Sequence, residues 1–238
     1  MVMRRASMVT RRPSGARGFL PRDLGGLVLW LRSDLGITLN AGNVSAWADQ
    51  SGNGNNATQG TAAKQPAYVA SDAGYGGRPT LSFASASAQL MTLAANLPAQ
   101  PFTAYVVGES TSGAAQQEFF GDATNNVTLF WTGTVWGVFA GAGFNSANAT
   151  RTKQAFATVF NGVSSSLYIN ASSAAAATGN AGASNPAGGE AIGGEAGPTA
   201  NALNGKIAEL AVYSGAHTAS QVRTMFSYFA SMYAGAWS

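Results

Sequence analysis

The segment KIAELAVYSGAHTASQVRTMFSYFASMYAG, residues 206–235, decides the fold, because it sets a strand directly before a helix. Its first part, KIAELAVY (206–213), is rich in Ile, Val and Tyr and closes on Ser-Gly, which is a strand signature. Beyond Ala216 the period changes. Thr218 as N-cap and Gln221 three residues later form a capping box. Val222, Met225, Phe226, Phe229, Met232 and Tyr233 recur at helical spacing and make one apolar stripe. Gly235 supplies a stop. The stripe predicts a helix lying over an open end of a β-sandwich.

Working outward from this segment, every other periodic stretch reads as a strand. They are LVLWL (27–31), VSAWA (44–48), PTLSF (79–83), QLMTL (89–93), FTAYVV (102–107), NVTLFW (126–131), TVWGVFA (134–140), QAFATVF (154–160) and SSLYI (165–169). Gly, Asn, Ser or Pro bound most of them. Thr132-Gly133 and Asn161-Gly162 mark hairpins, so 126–140 and 154–170 are expected to form a continuous meander. Residues 171–189, low in complexity, read as a surface loop. So many strands without alternating helices indicate an all-β antiparallel sandwich with one C-terminal capping helix.

Composition bounds the function. Hydrophobic residues make up 46% of the 238, ample for a core, whereas only 10% are charged, against roughly a quarter in typical domains. Ser, Thr, Asn, Gln and Gly must therefore supply the polar surface. Cysteine is absent, which excludes disulfides, thiolate metal sites and a Cys nucleophile. The charge is uneven. Arg4, Arg5, Arg11, Arg12, Arg17 and Arg22 give residues 1–22 a charge of +6 with no acid, and the rest of the chain carries −3. No apolar run of the length of a secretory h-region separates these arginines, and no segment reaches the ~18 apolar residues of a membrane span. Residues 1–24 are thus expected to be an extended basic arm and 25–238 a single domain. Lacking interleaved aromatics, the arm is read as docking on an acidic protein partner rather than on nucleic acid.

GLVLWLRSDLGI, VSAWADQSGNGNNATQ, QPAYV, GRPTLSF, FTAYVVGE, FFGDATNN and LNGKIAELAVYSGAHTASQVRTMFSYFASMYA, taken in order, resemble the LamG-like, concanavalin A-like jelly-roll modules of bacterial surface and phage virion proteins. The resemblance covers roughly 25–234. It implies two curved antiparallel sheets and leaves function open, because this fold hosts lectins, glucanases, calcium-dependent binders and structural modules.

Chemistry-bearing residues are few. In SAWADQSGNGNNATQG (45–60), Asp49, Ser51 and Asn53 alternate as in a calcium loop, but Gly60 stands where the closing Glu belongs. The preferred reading is a set of Asx turns, with Gly52 and Gly54 at positive φ. A weak calcium site at Asp49, Ser51 and Asn53, or a sugar contact, is the alternative. No other cofactor is expected. No E-x-D-x-x-E strand motif occurs. Glu118 and Asp122 form the closest acid pair, ~13 Å apart in a strand, and Glu209 reads as a residue at a sheet edge or paired to an arginine. His217 is the only histidine, expected to be solvated at the helix cap. Trp131, Trp136, Phe139 and Phe144 read either as core or as a glycan-binding platform. These features lead to a non-enzymatic virion module, a head decoration or tail-associated protein. Capsid or tail subunits would be its partners, and it would be oligomeric or part of a larger assembly. The alternative is a free lectin-type module recognising cell-surface glycans, and a weaker third reading is a glycan-cleaving enzyme.

Overall fold

The structure, a computed structural model, describes residues 18–94, 96–113, 115–122, 127–171, 173–195 and 201–237. Arg4, Arg5, Arg11, Arg12 and Arg17 lie outside the described residues. Arg22 is exposed in a short 3-10 turn, Pro21–Asp23.

The described residues form seventeen strands and one α-helix. The strands of the first half are β1 (Leu27–Arg32), β2 (Ile37–Asn40), β3 (Asn43–Trp47), β4 (Ala57–Thr58), β5 (Ala67–Asp72), β6 (Arg78–Phe83), β7 (Met91–Leu93) and β8 (Phe102–Ser110). Those of the second half are β9 (Gln117–Gly121), β10 (Thr128–Trp131), β11 (Trp136–Phe139), β12 (Gly143–Asn145), β13 (Gln154–Phe160), β14 (Ser165–Ile169), β15 (Ala177–Gly179), β16 (Ala191–Ile192) and β17 (Gly205–Ser214). The helix α1 spans Ala219–Tyr233.

One run of antiparallel pairing passes β1–β17–β8–β13–β14–β15. A second passes β2–β3–β4–β7–β16–β9–β10–β11–β12. The pair β5 and β6 joins them, β5 meeting β3 and β6 meeting β17. The expected antiparallel sandwich with a C-terminal helix is present, but its pairing runs on through all the strands rather than dividing into two separate jelly-roll sheets. It approaches a barrel.

The apolar residues fall into two cores. The larger lies between the layers and includes Leu29, Trp47, Phe102, Val106, Phe119, Trp136, Phe156 and Leu210. The second lies on the other face of the β1, β17, β8 and β13 strands, where Trp30, Tyr105 and Tyr213 surround Ala155, Ala157, Ala208 and Ala211. Helix α1 presses Val222, Met225, Phe226, Phe229 and Tyr233 into this bed. Fully burying a residue such as Phe226 or Phe229 contributes about 2 kcal/mol. The helix therefore covers a sheet face, not an open end. The cause lies in β8 and β13, which are buried on both faces along most of their length, so both faces must be covered. The alanines leave room for the helix.

The capping box at Thr218 and Gln221 forms as expected, and the left-handed C-cap falls on Ala234, one residue before Gly235. Both expected hairpins form, β10 pairing with β11 and β13 with β14, each over a loop longer than two residues. The β10–β11 link is the four residues 132–135, and Asn161-Gly162 leads into a 3-10 turn, Gly162–Ser164. The meander is interrupted, since β13 leaves β12 and pairs with β8 and β14. A strand with two apolar faces belongs at the centre. The low-complexity segment carries β15.

Candidate functional site

The loop after β3 is built by its side chains. Asp49 Oδ1 accepts from the Trp30 and Ser51 amides at 2.9 and 2.8 Å, and Oδ2 accepts from Ser51 Oγ and the Asn55 amide at 2.6 and 3.0 Å. Asn53 Nδ2 and Asn55 Nδ2 donate to the Val28 carbonyl, and Ser51 Oγ lies 3.1 Å from the same oxygen. Gly52 and Gly54 take φ of 95° and 77°, where a side chain would be strained. The loop is thus a knot of Asx turns tied to β1. Its single carboxylate already accepts four hydrogen bonds, and Ser51 and Asn53 point their polar atoms into the same knot. Among the described residues no group of three or more His, Cys, Asp or Glu gathers in a way that could hold a metal ion.

Trp131 and Trp136 do not form an open platform. They are 2% and 0% exposed. Register pairs them across β10 and β11, on the face that packs against Phe119 and Phe156, where Trp136 stacks on Phe119 at 5.1 Å. Phe144 is half-buried and packs against the same core. The two strands set both indoles inward because Leu129 and Val138 on the same face are also core.

These indoles nevertheless support a groove. The Trp136 indole N–H donates to the Thr150 carbonyl at 2.7 Å, and the Arg151 guanidinium lies over Trp131, 5.8 Å from the ring centre. The groove, of about 460 Å3, is lined by Glu109, Ser110 and Thr111 at the end of β8 and by residues 149–152 ahead of β13. Its backbone is fixed. The Ser110 amide donates to the Arg151 carbonyl at 3.0 Å, and the Thr111 amide donates to the Asn204 carbonyl at 2.7 Å. The Thr150 amide donates to Asn148 Oδ1 at 2.8 Å, and Gln154 Nε2 donates to the Thr150 carbonyl. Thr111, Thr150 and Thr152 are exposed. Glu109 is held by Lys206 at 3.4 Å, and Lys206 in turn by Asp72 at 2.8 Å. Sequence reading missed this groove. Its one signal was Arg151, a cation among Asn, Ala and Thr just before a strand.

Four other titratable groups, Glu118, Asp122, Glu209 and His217, are buried. Glu118, 0% exposed, accepts from Gln116 and Asn201 on Oε1, while Oε2 has no hydrogen-bond partner among the described residues. Burial, with Glu195 nearby, raises its carboxyl to about 8. Asp122 is also buried and accepts from the Ala187 amide at 3.0 Å. Glu209 is not at an edge. It lies mid-sheet under the helix and accepts from Trp30 Nε1 at 2.6 Å, Tyr233 Oη at 2.6 Å and Tyr228 Oη at 3.1 Å. Burial lifts it to about 7, opposed by these donors and by Arg32. His217 is not solvated either. It is 8% exposed beside Tyr105 and Tyr213, with Nδ1 2.7 Å from Tyr105 Oη, and burial lowers it to about 4.

A family model described as the concanavalin A-like lectin/glucanases superfamily matches residues 84–223. Comparison with curated protein sequences gives no match. Among solved structures, the binding domain of Paraclostridial Mosquitocidal Protein 1 is similar with a TM-score of 0.63 at 13% identity, over 87% of this chain and 53% of that one. Trypanosoma rangeli sialidase in complex with the inhibitor DANA gives 0.58 at 16%, over 84% and 32%. Domain 4 of AbnA, a GH43 extracellular arabinanase from Geobacillus stearothermophilus, in complex with arabinotriose, gives 0.58 at 15%, over 84% and 98%. The chain thus spans about a third of the sialidase and about half of the mosquitocidal binding domain.

Proposed function

The chain belongs to the concanavalin A-like lectin/glucanase superfamily, and we propose that within it this protein is a non-enzymatic glycan-binding module whose ligand lies in the groove at the end of β8, beside residues 149–152. One observation carries this reading. The groove offers hydroxyl groups and a guanidinium on a locked backbone, and its single carboxylate is engaged by Lys206. Glycoside hydrolysis ordinarily uses two carboxyl groups about 5–10 Å apart. Recognition needs only a few well-placed polar groups, which the groove has. The arabinotriose complex of the similar domain supports a carbohydrate ligand for this fold.

Isothermal titration and affinity electrophoresis against a panel of oligosaccharides test the proposal, with reducing-end assays run in parallel. Binding without hydrolysis is expected, and the double variant Thr150→Val, Thr152→Val should lose it while melting normally. Silence across the panel, or release of new reducing ends, would refute it. The virion placement and the assembly partners expected from the arginine arm gain no support from the described residues: of the arm's arginines only the exposed Arg22 is among them, while Phe19, Leu20 and Leu24 pack against the second core of the domain itself.

A further inference from the structure

Resting on the groove as a glycan site, we infer that Arg151 makes it selective for sugars that carry a carboxylate. Five cationic side chains among the described residues are half-buried: Arg32, Arg78, Arg151, Lys153 and Lys206. Four have partners. Arg32 and Arg78 bind Asp34, and Lys206 binds Asp72 and Glu109. Lys153 donates to the Tyr233 and Ala234 carbonyls. The Arg151 guanidinium alone of the five has no hydrogen-bond or ion-pair acceptor among the described residues; its one recorded interaction is with the Trp131 ring. Arg151 lines the groove and its nitrogens are not among the buried polar atoms left without a partner, so its donors face the groove and are free to take an acceptor from a ligand. The acid that shares its groove, Glu109, is taken by Lys206.

The guanidinium also has close neighbours. One side lies over Trp131. Gly113 backs it closely, since a Cβ there would come 3.3 Å from Cζ. A guanidinium presents a rigid planar fork, so less is lost in ordering it per hydrogen bond formed. The matching group is a planar anion that accepts two parallel N–H bonds, and a carboxylate does so with charge-assisted strength. The exposed hydroxyls of Thr150 and Thr152 stand beside it, suited to the hydroxyls of the same sugar ring. A volume of about 460 Å3 is within the usual range for small-ligand sites. The groove therefore joins a point of charge recognition to a neutral hydroxyl-lined wall.

Titration calorimetry of the full chain with matched pairs tests the inference: trigalacturonate against its methyl ester, and sialyllactose against lactose. A sulfated galactan trisaccharide serves as the rival anion. In at least one pair the acid member is expected to bind about tenfold tighter or better, with an advantage that shrinks as salt is raised. Arg151→Gln should bring the acid member down to its neutral partner, and Arg151→Lys, which keeps charge without the fork, should restore part of the gap. Thermal melts confirm that both variants fold. Equal binding within both pairs, a preference that survives Arg151→Gln, or tighter binding of the sulfated sugar would overturn the inference while leaving a glycan-binding role intact. Absence of binding to any sugar would remove that role and the inference with it.

Discussion

Replacing Glu209 by Gln should remove a pH dependence from the stability of this domain. In the folded chain the carboxyl titrates at about 7, against an ordinary value of 4.5. Below 4.5 it is protonated in both states. As pH rises the unfolded chain ionises first, while the folded chain keeps the proton under α1. The stabilisation is thus complete below 4.5 and is lost as pH rises through 7. The interval is about 2.5 pH units, and at about 1.4 kcal/mol each the loss is about 3 kcal/mol. Glutamine has nearly the same shape, can still accept from Trp30 and does not ionise. Glu118, raised to about 8, drifts in the same direction in both proteins, so it cancels in the difference. Urea unfolding of wild type and variant from pH 4 to 8, followed by tryptophan fluorescence, gives that difference directly. The variant should gain about 3 kcal/mol on wild type across the range. A difference that stays flat would refute the reasoning, because it would mean that Trp30, Tyr228, Tyr233 and Arg32 hold the folded carboxylate ionised throughout.

Three further outcomes follow from the packing. Asp49→Ala strips four hydrogen bonds from the loop after β3 and should cost about 3 kcal/mol in urea unfolding, with Asp49→Asn costing less. Trp136→Ala, at a wholly buried site, should cost about 4 kcal/mol and flatten the near-ultraviolet circular dichroism. Lys153→Met removes the ammonium that binds the last carbonyls of α1 and should cost about 1 kcal/mol, seen as a small drop in melting temperature.

Local signals were legible in the sequence, and signals that need two distant segments were not. The helix could be read from Thr218, Gln221 and its stripe because capping and period are properties of neighbours along the chain. Its seat could not, since the alanine bed draws on β13 and β17 together. Asp49, Asn53 and Asn55 announced a turn, and the turn formed. Trp131 and Trp136 were ambiguous because alternation along β10 and β11 does not say which face turns toward the core around Phe156. The groove needed the end of β8 beside residue 151, some forty positions on. Glu209 looked stranded among apolar residues because its donors come from Trp30, Tyr228 and Tyr233, on two other elements.

The knot at Asp49 has a consequence for how copies of this protein meet. On one side β1 bonds to β17. On the other, the Trp30 amide is taken by Asp49, the Trp30 carbonyl by the Gln50 amide, and the Leu27 and Val28 carbonyls by asparagine side chains. These groups occupy the places where a neighbouring backbone would bind, so they counterfeit a strand without extending the sheet. An incoming chain meets these groups already bonded. Lamination of one molecule onto another along this border is blocked by a short polar loop, which keeps the border closed even though the chain carries few charges to repel its own copies.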